Sequence, residues 1–125
     1  MIPRFAREKG AAAERAAERW LNRQGLALVT RNFRCKTGEI DLIMRDGEYL
    51  VFIEVRLRSR SDYGDAAASV TQAKQQRLIR AAQQFLLSES RWRHQPCRFD
   101  VLAGQPLANA AGFEWLWLRA AFSAE

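Results

Sequence analysis

The chain has one histidine, two cysteines, three prolines and no apolar run near the length of a membrane span. Each scarcity excludes something. His94 stands alone in Arg91–Pro96, a loop-like stretch before an apolar strand pattern. A two-histidine metal site is therefore impossible, and zinc chemistry loses its usual ligands. No Gly-x-Ser-x-Gly elbow is present to support a serine nucleophile. Cys35 and Cys97 have no Cys-x-x-Cys spacing and no histidine neighbour. They read as reduced structural residues of a cytoplasmic protein. Met1–Lys9 carries charges and no apolar core, so it does not read as a secretory signal. No stretch approaches the roughly 20 apolar residues of a spanning helix, and no membrane association is expected. Repeats and low-complexity linkers are also missing, and residues 1–125 read as one domain. Any hydrolytic chemistry must run on carboxylates with an oxygen-seeking ion such as Mg²⁺ or Mn²⁺.

What is present is a core and a basic surface. Hydrophobic residues make up 48% of the chain, with four tryptophans, enough to bury a real core. Twenty basic residues against fourteen acidic ones leave a formal charge of +6. That balance suits a polyanionic partner. Ala11–Gln24 reads as a helix with Ala13, Ala16, Ala17, Trp20 and Leu21 at core spacing and Gly25 at the C-terminal cap. Glu18 reads as a surface residue paired with Arg15 and Arg19. Leu26–Phe33 reads as a first strand. Thr71–Leu87 reads as a second helix, with Ser69 and Gln72 spaced for a capping box. Lys74 and Arg77 lie off its buried stripe. Cys97–Ala103 and Phe113–Phe122 read as further strands. Asp100 suits a structural partner for an arginine, and Trp115 and Trp117 suit packing or a subunit contact, leaving a homodimer open.

The densest segment is Gly38–Arg58, GEIDLIMRDGEYLVFIEVRLR, which alternates apolar and polar residues around Asp46-Gly47. Asp-Gly between alternating hydrophobic runs signals a hairpin. With Asp46 and Gly47 as the central turn residues, Asp41 faces Phe52 and Glu39 faces Glu54. Glu39, Asp41, Glu54 and Arg56 then share one face, and Ile40, Leu42, Met44, Val51, Ile53, Val55 and Leu57 the other. Charged residues on a half-exposed antiparallel pair are ordinary. Glu54, however, interrupts Val51-Phe52-Ile53-Glu54-Val55, a run typical of a strand covered on both faces. A carboxylate there is costly unless it is paired or binds a cation.

Gly38-Glu39-Ile40-Asp41-Leu42-Ile43 followed by Val51-Phe52-Ile53-Glu54-Val55-Arg56 resembles the split PD-(D/E)xK nuclease motif. The wider pattern covers most of the chain. It includes Gly10-x3-Glu14-x2-Ala17-x3-Leu21-x3-Gly25, Arg31-Asn32-Phe33-Arg34, Val70-x3-Lys74-x3-Leu78 and Arg98-Phe99-Asp100-Val101. Together these segments are similar to the YraN family of small bacterial endonuclease-like proteins, which resemble archaeal Holliday-junction resolvases. The resemblance implies an α/β, single-domain restriction-endonuclease-like fold: a mixed central sheet with an antiparallel hairpin, flanked by helices.

It further implies a metal-dependent endonuclease acting on DNA, branched DNA included. Asp41, Glu54 and Glu14 are the implied Mg²⁺ or Mn²⁺ ligands, and Glu14, Asp41, Glu54 and Arg56 the catalytic set. The motif's basic position, usually lysine, falls on Arg56. Arginine stays protonated, so it cannot act as a base, but it can clamp a phosphate and stabilise developing charge. Arg58, Arg60 and Lys74 are the expected nucleic-acid contacts, the first two in the polar segment Arg58–Asp65 beside Tyr63. Lys36 and Lys74 are the candidates to supply an ammonium group from elsewhere in the chain. The competing reading is a binding module on a nuclease fold that no longer cuts.

Overall fold

A computed structural model of the protein describes residues 4–57 and 70–124, with side chains from Gly10 onward. Helix α1 spans Arg4–Arg23. Strands β1 (Ala27–Cys35), β2 (Gly38–Asp46) and β3 (Tyr49–Leu57) follow as a meander. Helix α2 (Gln72–Ser88) then leads through a short 3₁₀ turn to β4 (Cys97–Pro106) and β5 (Phe113–Phe122). The five strands form one sheet in sequence order. All neighbours are antiparallel except β3 and β4, the one pair joined by a helix. Parallel neighbours need such a crossover, because a tight turn can only reverse the chain. The result is the expected single-domain α/β architecture, with a mixed five-stranded sheet between two helices.

The core has two layers. On one face, Ala17 and Leu21 of α1 pack with Leu26, Leu42, Met44, Val51, Ile53 and Leu102. On the other, Leu78, Ile79, Ala82 and Phe85 of α2 pack with Ile43, Leu50, Phe52, Phe99 and Val101. Leu50 through Glu54 are all buried, so β3 is covered on both sides as its apolar run requires. Helix α1 begins at Arg4, earlier than its core spacing suggests, and ends as expected. Leu26 N–H reaches the Leu21 carbonyl and Gly25 N–H the Asn22 carbonyl, a Schellman arrangement closed by the buried Leu21–Leu26 contact. Helix α2 is capped by Thr71, whose hydroxyl accepts the Lys74 N–H at 3.2 Å. That cap takes the place of the expected Ser69–Gln72 box, whose Ser69 lies outside the described residues.

Two details of the hairpin differ from the sequence reading. Asp46 pairs with Tyr49 and Ile43 with Phe52, so the two-residue loop is Gly47-Glu48. Gly47, at φ +61°, supplies the positive φ that the first position of such a loop needs. Moving the loop by one residue changes every partner by two, so side-chain facing is preserved. Extending the register sets Asp41 opposite Glu54, in place of the expected Phe52. The second difference is in β2 itself. Leu42 and Met44 face α1, but Ile40 packs with Ile43 on the α2 side. The pleat therefore changes sides at Asp41. Across the ladder, Arg31 pairs with Leu42 and Phe33 with Ile40, and the residue between them, Asn32, has φ +49°. The paired strands bend together at the Asn32–Asp41 level.

Candidate acidic cleft

The bend opens the end of the sheet. The β2–β3 ladder stops at Leu42–Ile53. Beyond it the Asp41 Oδ2 accepts the Val55 N–H at 2.8 Å, where a neighbouring carbonyl would otherwise sit. Here lies a cleft of about 330 Å³, lined by Glu14, Glu39, Asp41, Glu54, Arg56, Lys74 and Arg77, with Gly38, Val55 and Leu78. Glu14 arrives from α1 on one side of the sheet, and Lys74 and Arg77 from α2 on the other. Asp41 and Glu54 stand between them on the central strands.

Gly38 brings β2 and α2 together at the wall of the cleft. It starts β2 directly against α2, where a Cβ would lie 3.2 Å from the Arg77 carbonyl oxygen. Only a glycine lets the strand and the helix approach this closely without displacement. The contact ties the first turns of α2 to the carboxylate end of β2.

The electrostatics follow from burial. Glu54 is pushed up from 4.5 to about 8, first by desolvation, then by the Asp41 charge and their hydrogen bond. Lys74 and Arg56 oppose that rise. Lys74 Nζ and Arg56 Nη1 each stand 3.7 Å from the same oxygen, Glu54 Oε2. Glu14 is raised to about 7 by desolvation and by Asp41. Asp41 is also raised, desolvation outweighing the Val55 N–H that favours its charged form. Glu54 and Glu14 thus hold protons near neutral pH, and each hydrogen-bonds to Asp41. Among the described residues no three His, Cys, Asp or Glu side chains stand ready as a metal cage. The donor set nevertheless fits a hard divalent cation: clustered carboxyl oxygens in a cleft open to solvent.

Glu14, Asp41, Glu54, Arg56 and Lys74 all line this cleft, and Arg58 and Arg60 lie outside the described residues. Glu39 is exposed and ion-paired with Arg34 at 3.3 Å. Glu18 belongs to a different structure from the one expected. Both its carboxylate oxygens accept from Arg31 of β1, in place of the expected pairing with Arg15 and Arg19. Asp100 is fully buried and structural. It accepts from Arg98, from Trp117 Nε1 at 2.9 Å and from the Ala120 N–H at 2.9 Å. Trp117 also meets Trp20 edge-on at 5.9 Å, so its role is packing between α1 and β5. The sequence reading did not register the Asp41–Val55 bond or the part of Gly38. A glycine opening a strand just before Asp41 was the available signal.

The fold and cleft define a class: a small α/β protein carrying a carboxylate cluster flanked by cations at the open end of a mixed sheet. The family model described as "Uncharacterised protein family UPF0102" matches residues 13–103. A UPF0102 protein of Alcanivorax borkumensis is 50% identical over 122 residues, covering 98% of this chain and 97% of that one. One from Hahella chejuensis is 54% identical over 107 residues, covering 86% and 85%. One from Nitrosococcus oceani is 48% identical over 125 residues, covering 100% and 99%. The chain belongs to the UPF0102 (YraN) family.

Proposed function

We propose that the protein is a metal-dependent endonuclease-like protein of the PD-(D/E)xK kind that binds nucleic acid, DNA above all, and hydrolyses its phosphodiester backbone. The observation that carries this reading is the convergence of Glu14, Asp41 and Glu54 with Arg56 and Lys74 in one cleft. Asp41 and Glu54 would hold Mg²⁺ or Mn²⁺, with Glu14 completing the oxygen shell. When bound, the ion supplies a water of lowered pKa and polarises the phosphodiester. Arg56 and Lys74 offer fixed positive charge beside Glu54, where negative charge develops on a transferring phosphoryl group. Arg56 presents a planar fork and Lys74 a compact ammonium, so the two donors complement one another. The Asp41–Val55 bond holds the Asp41 carboxylate in place. The free thiols of Cys35 and Cys97 suit a reducing, cytoplasmic setting. Among the described residues no helix is long and apolar enough to cross a membrane.

The second reading is a nucleic-acid-binding module that does not cut. Arginine at position 56 favours it, and the intact carboxylate cluster opposes it. A Mn²⁺-supplemented cleavage assay over single-stranded, duplex, flap and four-way-junction DNA, and over RNA, separates the two. Turnover that disappears in Asp41→Ala supports the enzyme. Binding without turnover on any substrate leaves the module.

A further inference from the structure

Helix α2 has an unusual solvent face. Between Gln72 and Ser88 it contains five glutamines and three cations and not one aspartate or glutamate. Helix α1 differs, mixing Glu14 and Glu18 with Arg15, Arg19 and Arg23. The α2 cations are Lys74, Arg77 and Arg80, three residues apart, spread over about 9 Å of helix axis. Lys74 and Arg77 line the cleft. Arg80 is exposed and continues the row away from it, with Gln76, Gln83 and Gln84 exposed alongside. None of the three has an acidic partner on its own helix. The tight Gly38–Arg77 approach fixes the start of this row at the mouth of the cleft.

We infer that the exposed face of α2 is the track along which a nucleic-acid backbone leaves the cleft, with Arg77 and Arg80 as its phosphate contacts. The inference rests on the proposed nucleic-acid reading and adds the direction of the strand and two residues to it. Charge complementarity identifies the occupant. Cations and neutral amide donors with no interspersed carboxylates meet phosphate oxygens without repulsion, and such contacts position a strand without reading its bases. A partner protein or a lipid surface leaves unexplained why the row begins inside a cleft of carboxylates.

The test is the salt dependence of binding. A short fluorescent DNA duplex is titrated with protein in EDTA, so that no cleavage intervenes, across a range of salt concentrations. The slope of log K against log salt falls by roughly 0.9 for each phosphate contact removed. Arg77→Gln/Arg80→Gln is expected to flatten the slope by about two, equally for two unrelated duplex sequences. Its thermal midpoint is expected to match wild type, because both side chains are exposed. Arg15→Gln/Arg19→Gln removes the same charge from α1 and is expected to leave the slope nearly unchanged. If wild type binds and the two double variants lose slope equally, or the α2 variant loses none, the track is wrong and nucleic-acid binding stands. If wild type binds no nucleic acid at low salt, the functional reading falls and the track with it.

Discussion

Two cations converge on one oxygen of Glu54, and their chemistry differs. Arg56 leaves the same strand as Glu54, two residues on, and Lys74 crosses from the first turn of α2. Arg56→Ala is expected to lower kcat by about a hundredfold or more, the usual cost of losing one donor to a developing anion. Metal binding is expected to persist, because the carboxylates remain. Arg56→Lys keeps the charge and is expected to hold or raise turnover in the same assay. Should the wild type prove inactive, Arg56→Lys becomes the informative variant. Mn²⁺-dependent cleavage gained on that change alone means a competent site lacking one ammonium on β3. Lys74→Ala is expected to weaken DNA binding as well as turnover, since its side chain is 40% exposed and lines the cleft. Single-turnover rates at saturating protein separate the two effects. Loss of rate with unchanged affinity assigns Lys74 to the chemistry alone.

At the scale of elements, the site exists because β2 bends and α2 starts at one fixed place. Thr71 holds that start by accepting the Lys74 N–H. Thr71→Ala is expected to cost about 1 kcal/mol, measured by urea unfolding, and to loosen Lys74 with it. A variant as stable as wild type shows that tertiary contacts alone hold the helix start. The carboxylates were legible from the pattern because period-two alternation survives a shift of the loop by one residue. The partners were not, since Asp46-Gly47 and Gly47-Glu48 are both acceptable loops locally. The bend at Asp41 was hidden for a stronger reason. It depends on Asn32 of β1 entering a left-handed conformation, and no property of β2 records it. Glu18 shows the same limit: helical spacing offered Arg15 and Arg19, and the tertiary fold supplied Arg31. Helices and strands were readable where a buried stripe repeats, as in α2 and β3. Caps and ion pairs joining distant segments were not.

For the whole molecule, the acidic cleft is a charge deficit built into a basic protein, and it makes stability depend on pH in an unusual direction. Glu54 titrates near 8 and Glu14 near 7 in the folded state, both from 4.5 in the unfolded chain. From about pH 5 to about pH 8 the folded protein therefore holds protons that the unfolded chain has released. Stability changes with pH in proportion to protons bound unfolded minus protons bound folded, which is negative in this window. The metal-free protein is expected to lose stability as pH rises from 5 to 8, opposite to the behaviour of salt-bridged carboxylates. A divalent cation bound to the folded cluster as proposed would supply positive charge there, and it is expected to raise the thermal midpoint. Because it displaces protons, its effect is expected to be larger at pH 8 than at pH 5.5. Asp41→Ala removes the charge that helps raise Glu14 and Glu54 and takes away one oxygen donor. That variant is expected to show a flatter pH profile and a smaller response to Mg²⁺ or Mn²⁺. Thermal melts of both proteins at several pH values, with and without ion, decide the matter. Equal midpoint gains in wild type and Asp41→Ala mean that the ion binds elsewhere, and a flat metal-free profile means that the carboxyls do not carry the protons assigned to them.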